Sequence, residues 1–133
     1  MIDIERLIIT PIEDAVHAEF ENAFVTSEYV KAPTEFPHVS IIEADNYTAT
    51  ENLDSANEER YAIIMYEVNV YSNKTSGKKS ECRKIMNIID KMMYGFNFTR
   101  TALTPVPNLE DATIYRLTAR YRAKTDGETI YRD

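Results

Sequence analysis

The sequence predicts an α+β fold, in which an antiparallel sheet with long strands packs against two helices in a single domain. Two segments repeat apolar residues at helical spacing, and two others alternate apolar and polar residues over about double the usual strand length of five to six residues. Turn residues separate these segments, and the chain contains neither repeats nor an internal linker. With 133 residues, 44% of them hydrophobic, the chain can build one core.

The first helix is predicted to start at Thr10–Glu13 (TPIE). Threonine can cap a helix, proline fits the first helical position, and glutamate stands at the capping-box position. Upstream of it, Ile4, Leu7 and Ile8 fit either another helical turn or a short strand. Five apolar residues then recur at helical spacing and predict roughly three to four turns. They are Ile12, Val16, Phe20, Ala23 and Phe24.

A strand is predicted after a proline-flanked phenylalanine. A short extended piece is expected near Tyr29–Lys31, and Pro37 then forces Phe36 into extended geometry just before the apolar run Val39–Ile42. Residues Asp45–Glu59 (DNYTATENLDSANEE) contain almost nothing to bury. They predict a mobile acidic loop, since loops of this length in compact domains are usually functional or mobile.

The longest predicted strand is Arg60–Ser72 (RYAIIMYEVNVYS). One face is apolar throughout, whereas the other begins apolar at Tyr61 and turns polar at Glu67 and Asn69. The Tyr61 end is therefore predicted to be buried on both faces and the opposite end on one. The apolar face consists of Ala62, Ile64, Tyr66, Val68 and Val70.

The second half of the chain predicts a helix and two further strands. An apolar stripe predicts a helix through Tyr94 that stops at Gly95, and a strand follows at Phe96–Val106. Residues Thr113–Lys124 alternate apolar and basic or polar side chains, as a half-buried strand does. A turn at Asp126-Gly127 leaves residues 127–133 as a C-terminal extension, either a short returning strand or a tail.

Composition excludes several classes of protein. A formal net charge of −7 argues against general attraction to nucleic acid or to an anionic membrane. The single cysteine, Cys82, excludes an intramolecular disulfide framework and is expected to be a small buried hydrophobe. The acidic N-terminus is unlike a signal peptide, and no apolar run reaches the roughly 20 residues that span a bilayer. We therefore expect a chain that begins as a soluble cytosolic protein.

Charge is unevenly placed along the chain. An acidic segment between Glu43 and Glu59 contains no lysine or arginine, and the basic strand between Thr113 and Lys124 contains no carboxylate. Two interpretations remain open: two solvated faces, or complementary surfaces through which one copy meets another. Long strands leave long edges, which favours self-assembly. The candidate subunit-interface residues are Arg116, Arg120, Arg122, Lys124, Asp45, Glu51, Asp54, Glu58 and Glu59.

Candidate catalytic residues are few. His17 could share a helix face with Asp14 and Glu21 and form a weak metal site, but such a face is normally only solvated. His38, which lies near Glu35, is better explained as a hydrogen-bonded loop histidine. The chain contains no nucleophile motif, no glycine-rich nucleotide fingerprint and no convincing pair of carboxylates. We therefore expect a protein without catalytic activity, cofactor or metal.

The order of features resembles that of the tail-terminator and head–tail joining proteins of tailed bacteriophages and related contractile particles. After a leading helix come a P-x-x-F-P-x-V strand entry at Pro33–Val39 and a polar acidic loop. A long strand ending in Glu67–Lys74 (EVNVYSNK), a helix closing in Met92–Phe96 (MMYGF) and a basic alternating final strand follow. The resemblance covers roughly Pro11–Lys124 and rests on the order and spacing of these segments.

The resemblance implies a structural virion protein that closes into a six-fold ring on the tail tube, stops its polymerisation and offers a surface to the head connector. The implied partners are further copies of the chain, the tail-tube protein, the head connector or neck protein and, where the tail contracts, the sheath. DNA would be passing cargo only, and no membrane is involved. The opposite possibility, that the basic strand face lines the lumen of the ring and touches DNA, remains open. The implied location is the tail–neck junction of a virion whose proteins are made in the host cytoplasm.

Two alternatives to the terminator remain. Within the same particle, the chain could be a head-completion or neck protein. From a different class, it could be a small metal- or ligand-dependent enzyme using His17 or His38 with nearby carboxylates.

Overall fold

The computed structural model describes residues 1–49, 61–107 and 111–133. These residues form one α+β domain, as predicted. The helices and strands are α1 (Glu5–Glu19), β1 (Phe24–Thr26), β2 (His38–Thr48), β3 (Ala62–Ser72), α2 (Lys78–Gly95), β4 (Thr99–Val106), β5 (Tyr115–Thr125) and β6 (Ile130–Tyr131). Neither of the two described helices is both long and apolar enough to cross a bilayer.

The sheet has the strand order β1-β2-β3-β5-β4, and β6 pairs with β5. The three strands β2, β3 and β5 have 11 residues each, which confirms the long strands predicted from sequence. β3 pairs with β5 along its whole length, from Ala62↔Thr125 to Ser72↔Tyr115. The β1–β2 pair is parallel and the other pairs are antiparallel.

Both helices pack on one face of the sheet, here called the inner face. Alternate residues of β3 and β5 point into one core with the apolar stripes of α1 and α2. The largest of them, Tyr66 and Tyr121, are at most 1% exposed. The Tyr66 ring meets Phe98 edge to face at 5.6 Å between centroids, a favoured aromatic geometry. The opposite, outer face carries the basic residues of β5.

The first helix begins earlier than predicted. It starts at Glu5, so Pro11 lies inside the helix rather than at its first position, and Ile4–Ile8 belongs to a helical turn and not to a strand. Proline removes the hydrogen bond to the carbonyl four residues back, that of Leu7. The helix tolerates this loss because Leu7 lies on its solvent side, 55% exposed. The helix ends at Glu19, so Phe24 belongs to β1 and not to the predicted helix.

Two predictions on the segment after α1 were wrong. The short extended piece is Phe24–Thr26 rather than Tyr29–Lys31. The predicted acidic loop starts too early, because Asp45–Thr48 continues β2 after a one-residue bulge at Ala44. A bulge adds one unpaired residue to a strand, so the polar residues after it can still pair with β3 and the strand is not interrupted. The part of the predicted loop from residue 50 to 59 lies outside the described residues.

The burial of β3 differs from the prediction on its outer face. Asn69 and Tyr71 are 0% and 4% exposed, so the Ser72 end of the strand is buried on both faces. The polarity of Asn69 wrongly predicted an exposed face. Its side chain can be buried because it accepts hydrogen bonds from Thr118 Oγ1 at 2.7 Å and from Arg116 Nε at 3.0 Å. A buried amide with such partners pays little for losing water.

The ends of the remaining elements also differ slightly. α2 includes Gly95, and Asn97 rather than a glycine takes the left-handed conformation after it, with φ of 70°. β4 begins at Thr99 rather than at Phe96 and contains Pro105, as an edge strand allows. Residues after Gly127 form the short returning strand β6, one of the two predicted alternatives.

Candidate assembly surfaces

The four basic interface candidates form one row on the outer face of β5. We call Arg116, Arg120, Arg122 and Lys124 the basic row. They are alternate or near-alternate residues of one strand, so they point the same way. This confirms the face assigned from the sequence. Whether the row meets another subunit remains a prediction.

Each side chain of the basic row already has a partner within the chain. Arg120 Nη2 lies 2.9 Å from Glu67 Oε1, and Arg122 forms an ion pair with Asp133. The Arg116 guanidinium stands 5.5 Å from the centre of the Tyr71 ring. Lys124 Nζ stands 5.1 Å from the centre of the Tyr61 ring, a cation–π distance. Contacts within the chain therefore hold the four side chains in place and partly compensate their positive charge.

Of the five acidic interface candidates, the structure describes Asp45. It is an exposed residue of β2 that stands opposite Met65 of β3, and Met65 in turn stands opposite Arg122. Asp45 and Arg122 therefore lie at one level of the sheet with β3 between them. Glu51, Asp54, Glu58 and Glu59 lie outside the described residues.

The two histidines do not come together as a catalytic pair with carboxylates. His17 Nε2 lies 2.8 Å from the Ala23 carbonyl, to which it donates, so this nitrogen ties the end of α1 to the start of β1. The prediction of a hydrogen-bonded loop histidine was wrong for His38, which begins β2 and whose two ring nitrogens have no hydrogen-bond partner among the described residues. His38 is instead held by ring packing: it is 2% exposed and stacks on Phe24 at 5.1 Å, with Tyr71 edge-on at 5.5 Å. Burial lowers the pKa of His38, against the opposing influence of Glu35, and favours its neutral form.

Other reactive groups are also placed as structural residues. Cys82 is fully buried, and burial raises the pKa of its thiol to about 12, so the thiolate is scarce at neutral pH. This confirms its predicted role as a small buried hydrophobe. Within residues 1–49, 61–107 and 111–133, no three acidic, histidine or cysteine side chains are grouped as a metal ion requires.

The sequence interpretation missed a charge difference between opposite edges of the sheet. Residues 1–49, which build α1, β1 and β2, hold ten carboxylates and two cations. The elements at the other edge, α2 and β4, hold six cations and two carboxylates. Counting charge by thirds of the chain would have found this, but placing the two groups at opposite edges required the strand order.

The acidic edge contains a crowded group of carboxylates, Asp3, Glu5 and Glu43. Burial is the main cause that raises the pKa of Glu43, and the nearby carboxylates of Asp3 and Glu5 raise it further, against a hydrogen bond from Asn46. The Asn46 side chain also donates to the Ile2 carbonyl at 2.8 Å, which fixes the N-terminal residues beside β2. The carboxylates at this edge therefore repel one another.

The basic edge contains an open groove between α2 and β4, with a volume of about 750 Å³. Its floor is apolar and its α2 side is basic. Asp90 is the described carboxylate in its lining, and it accepts from Tyr121 Oη at 2.9 Å and from Arg100 Nη1 at 3.2 Å. Two surfaces of opposite charge thus lie at opposite ends of one sheet.

Comparisons with known proteins do not assign this chain to a family: no protein-family model matches it and no curated protein matches it.

Proposed function

We propose that this protein is a structural virion protein, a ring-forming terminator that caps the tail tube of a tailed bacteriophage and joins it to the head connector. The order of sequence features resembles that family, and one structural observation carries the proposal. The sheet has two unlike edges, acidic at α1 and β2 and basic at α2 and β4. Unlike edges favour head-to-tail contacts, and such contacts close into a ring when the rotation between copies allows it.

The physical properties of the chain fit this role. Long strands give a stiff domain whose charged faces can set the order of subunits, and complementary charge favours the correct neighbour over other proteins. A net charge of −7 reduces non-specific attraction to phosphate, which suits a ring through which DNA passes. The sequence predicts the basic row and the acidic segment around Asp45 as subunit-interface residues, and the charge reversals described below test this surface against the edges of the sheet. The proposed location is the tail–neck junction of the virion.

The test is electron microscopy of tail tubes assembled from the purified tail-tube protein with and without this protein. Termination predicts tubes of limited length that carry one ring at one end. Tubes that grow to unrestricted length with no ring bound would contradict the terminator function. A ring that binds completed necks but leaves tube length unchanged would instead indicate the head-completion role.

The alternative enzyme class gives a different result in solution. A strict monomer whose melting temperature rises with a divalent metal would favour the enzyme over the ring. Gel filtration with light scattering, together with thermal scans in Mg²⁺, Mn²⁺ and Zn²⁺, separates the two classes.

A further inference from the structure

The groove between α2 and β4 exists because the helices leave the end of the sheet uncovered. α2 packs against β3, β5 and β4, and α1 packs against α2. On the inner face of β4, Leu103 stands opposite Ala119 and Pro105 opposite Leu117, so both belong to the core-facing side. Leu103 and Leu117 form the apolar floor together with Met86 of α2. The groove therefore lies beside α2, over the part of the sheet that the helices leave uncovered.

The α2 side of the groove carries cations without ion-pair partners among the described residues. Lys79 and Arg83 stand one helical turn apart, and Lys84 follows; all three are exposed. Arg100, in contrast, is paired with Asp90. The groove therefore offers an apolar floor beside a row of three uncompensated positive charges.

The opposite edge of the same molecule offers a matching helix. The solvent side of α1 carries Leu7, Thr10, Asp14 and Ala18, spaced at i, i+3, i+7 and i+11, so they form one stripe. All four are exposed, and Leu7 is 55% exposed although it is large and apolar. The stripe combines an exposed leucine with a carboxylate, which complements an apolar floor beside basic side chains.

Pairing of the sheet edges is a poorer way to join two copies. β4 has an irregular register between Arg100 and Ala102 and contains Pro105, and β2 has a bulge at Ala44. Bulges and prolines are features by which proteins prevent edge strands from pairing with other chains. Side-chain docking between a helix and a groove avoids both obstacles.

We propose that α1 of one copy docks in the α2–β4 groove of a second copy, with Leu7 over the apolar floor and Asp14 beside Arg83 and Lys84. This inference rests on the proposed ring and names the contact that builds it. The contact is head-to-tail, because each copy keeps a free groove at one end and a free α1 at the other. A DNA backbone fits the groove less well, since the floor is apolar and Asp90 lies in its wall.

The first experiment compares two charge reversals of equal size. R83E/K84E reverses the groove and R120E/R122E reverses two members of the basic row, so each variant changes the net charge by the same amount. Self-association is measured by sedimentation velocity at 50 mM and 500 mM salt, after circular dichroism has shown that both variants are folded. We expect R83E/K84E to weaken association by about tenfold or more, R83Q/K84Q to weaken it less, and R120E/R122E to change it less than threefold.

The second experiment mixes two variants that cannot assemble alone. L7D blocks α1 and leaves the groove intact, whereas R83E/K84E blocks the groove and leaves α1 intact. Mixed in equal amounts, they should form a one-to-one heterodimer that grows no further, because one functional half remains on each copy. Native mass spectrometry distinguishes this heterodimer from either parent.

Three results would overturn the docking. If R120E/R122E abolishes assembly and R83E/K84E does not, the ring stands but the contact lies on the outer face. If R83E/K84E assembles normally and only loses affinity for a fluorescent DNA duplex, the groove serves DNA. If the wild-type protein stays monomeric at every concentration and salt, the proposed ring fails together with the docking.

Discussion

The two edges of the sheet differ in how their charge is managed. At the α1–β2 edge, the carboxylates of Asp3, Glu5 and Glu43 lie close together. Burial and the two neighbouring carboxylates disfavour the charged form of Glu43. At the α2–β4 edge, Asp90 is fixed by Tyr121 and Arg100, while Lys79, Arg83 and Lys84 point into solvent. One edge carries unrelieved negative charge and the other unrelieved positive charge. This difference is the basis of our proposal that each edge meets the unlike edge of a neighbouring copy.

The comparison also separates stability from assembly. α2 is held by the other helix and by three strands, whereas α1 packs mainly against α2 among the described elements. The proposed docking brings α1, which carries Leu7 and Asp14 on its solvent side, to the groove that α2 forms with β4.

The largest expected effect tests how firmly the two helices are held. Ile89 of α2 and Ile12 of α1 are both 0% exposed. Ile89→Ala and Ile12→Ala should each lower the free energy of unfolding by about 2–5 kcal/mol, because each leaves a cavity in the core. We expect the larger loss at Ile89, since α2 packs against more elements. Urea denaturation at equal protein concentration measures both, and a larger loss for Ile12→Ala would contradict the comparison.

A smaller effect is expected at the anchor of the basic edge. Asp90→Ala leaves the hydroxyl of Tyr121, which is 1% exposed, without its acceptor, and should cost about 1–3 kcal/mol of unfolding free energy. Asp90→Asn keeps an acceptor oxygen and should cost less. Tyr121→Phe serves as the control, because it removes the donor as well. Equal losses for the alanine and asparagine variants would show that the hydrogen bond does not anchor α2 to the sheet.

At the acidic edge, removing a carboxylate should raise the stability of the fold, whereas removing Asp90 at the basic edge should lower it. The pKa of Glu43 is raised above its usual value of 4.5, so the folded state binds a proton more tightly than the unfolded state does. Stability is therefore lost as the pH rises from about this value through the folded-state pKa, and Glu43→Gln should remove that loss. We expect the variant to be more stable by roughly 0.5–1 kcal/mol at pH 7 and no different at pH 3.

Urea denaturation across this pH range tests Glu43, with Asp45→Asn as a control on the same strand. Asp45 is exposed, so its substitution should change stability little at either pH. A Glu43→Gln variant that is less stable than the wild type at pH 7 would show that the carboxylate has a stabilising partner.

The smallest expected effect concerns the outer face. Arg120→Gln breaks the pair with Glu67, but Arg120 is 53% exposed, so solvent screens the interaction. We expect a change in unfolding free energy of less than about 0.5 kcal/mol, as for most exposed ion pairs. A double-mutant cycle with Glu67→Gln isolates the pair. A coupling energy well above this value would mean that the basic row contributes to the fold, and it would then be a poor candidate for an interface.

Local patterns in the sequence were sufficient for the main elements. Alternation over Arg60–Ser72 and Thr113–Lys124 predicts the two central strands, and it also predicts which face of β5 carries the arginines. These patterns hold because a half-buried strand must alternate and because the core needs a continuous apolar face. The turn at Asp126-Gly127 is equally local.

What sequence reasoning missed depends on contacts between distant parts of the chain. Pro11 fits inside α1 because the Leu7 carbonyl, which loses its hydrogen-bond donor, lies on the solvent side of the helix. A capping pattern in the sequence does not reveal this. Asn69 is buried because Thr118 and Arg116 satisfy it from the neighbouring strand. The groove exists because α2 covers β3 and β5 more fully than β4, a fact of strand order. No single segment of sequence carries this information.

The central claim is that unlike edges meet head-to-tail, and the molecular mass of the wild-type assembly tests it most directly. Mass photometry and light scattering at 50 mM salt, over a wide range of protein concentration, give that mass. The account predicts growth past two subunits to a closed species of about six, which dissociates at high salt because the contact is charged. An assembly that stops at two subunits at every concentration would contradict it, since a two-fold contact joins like surfaces and leaves no free end.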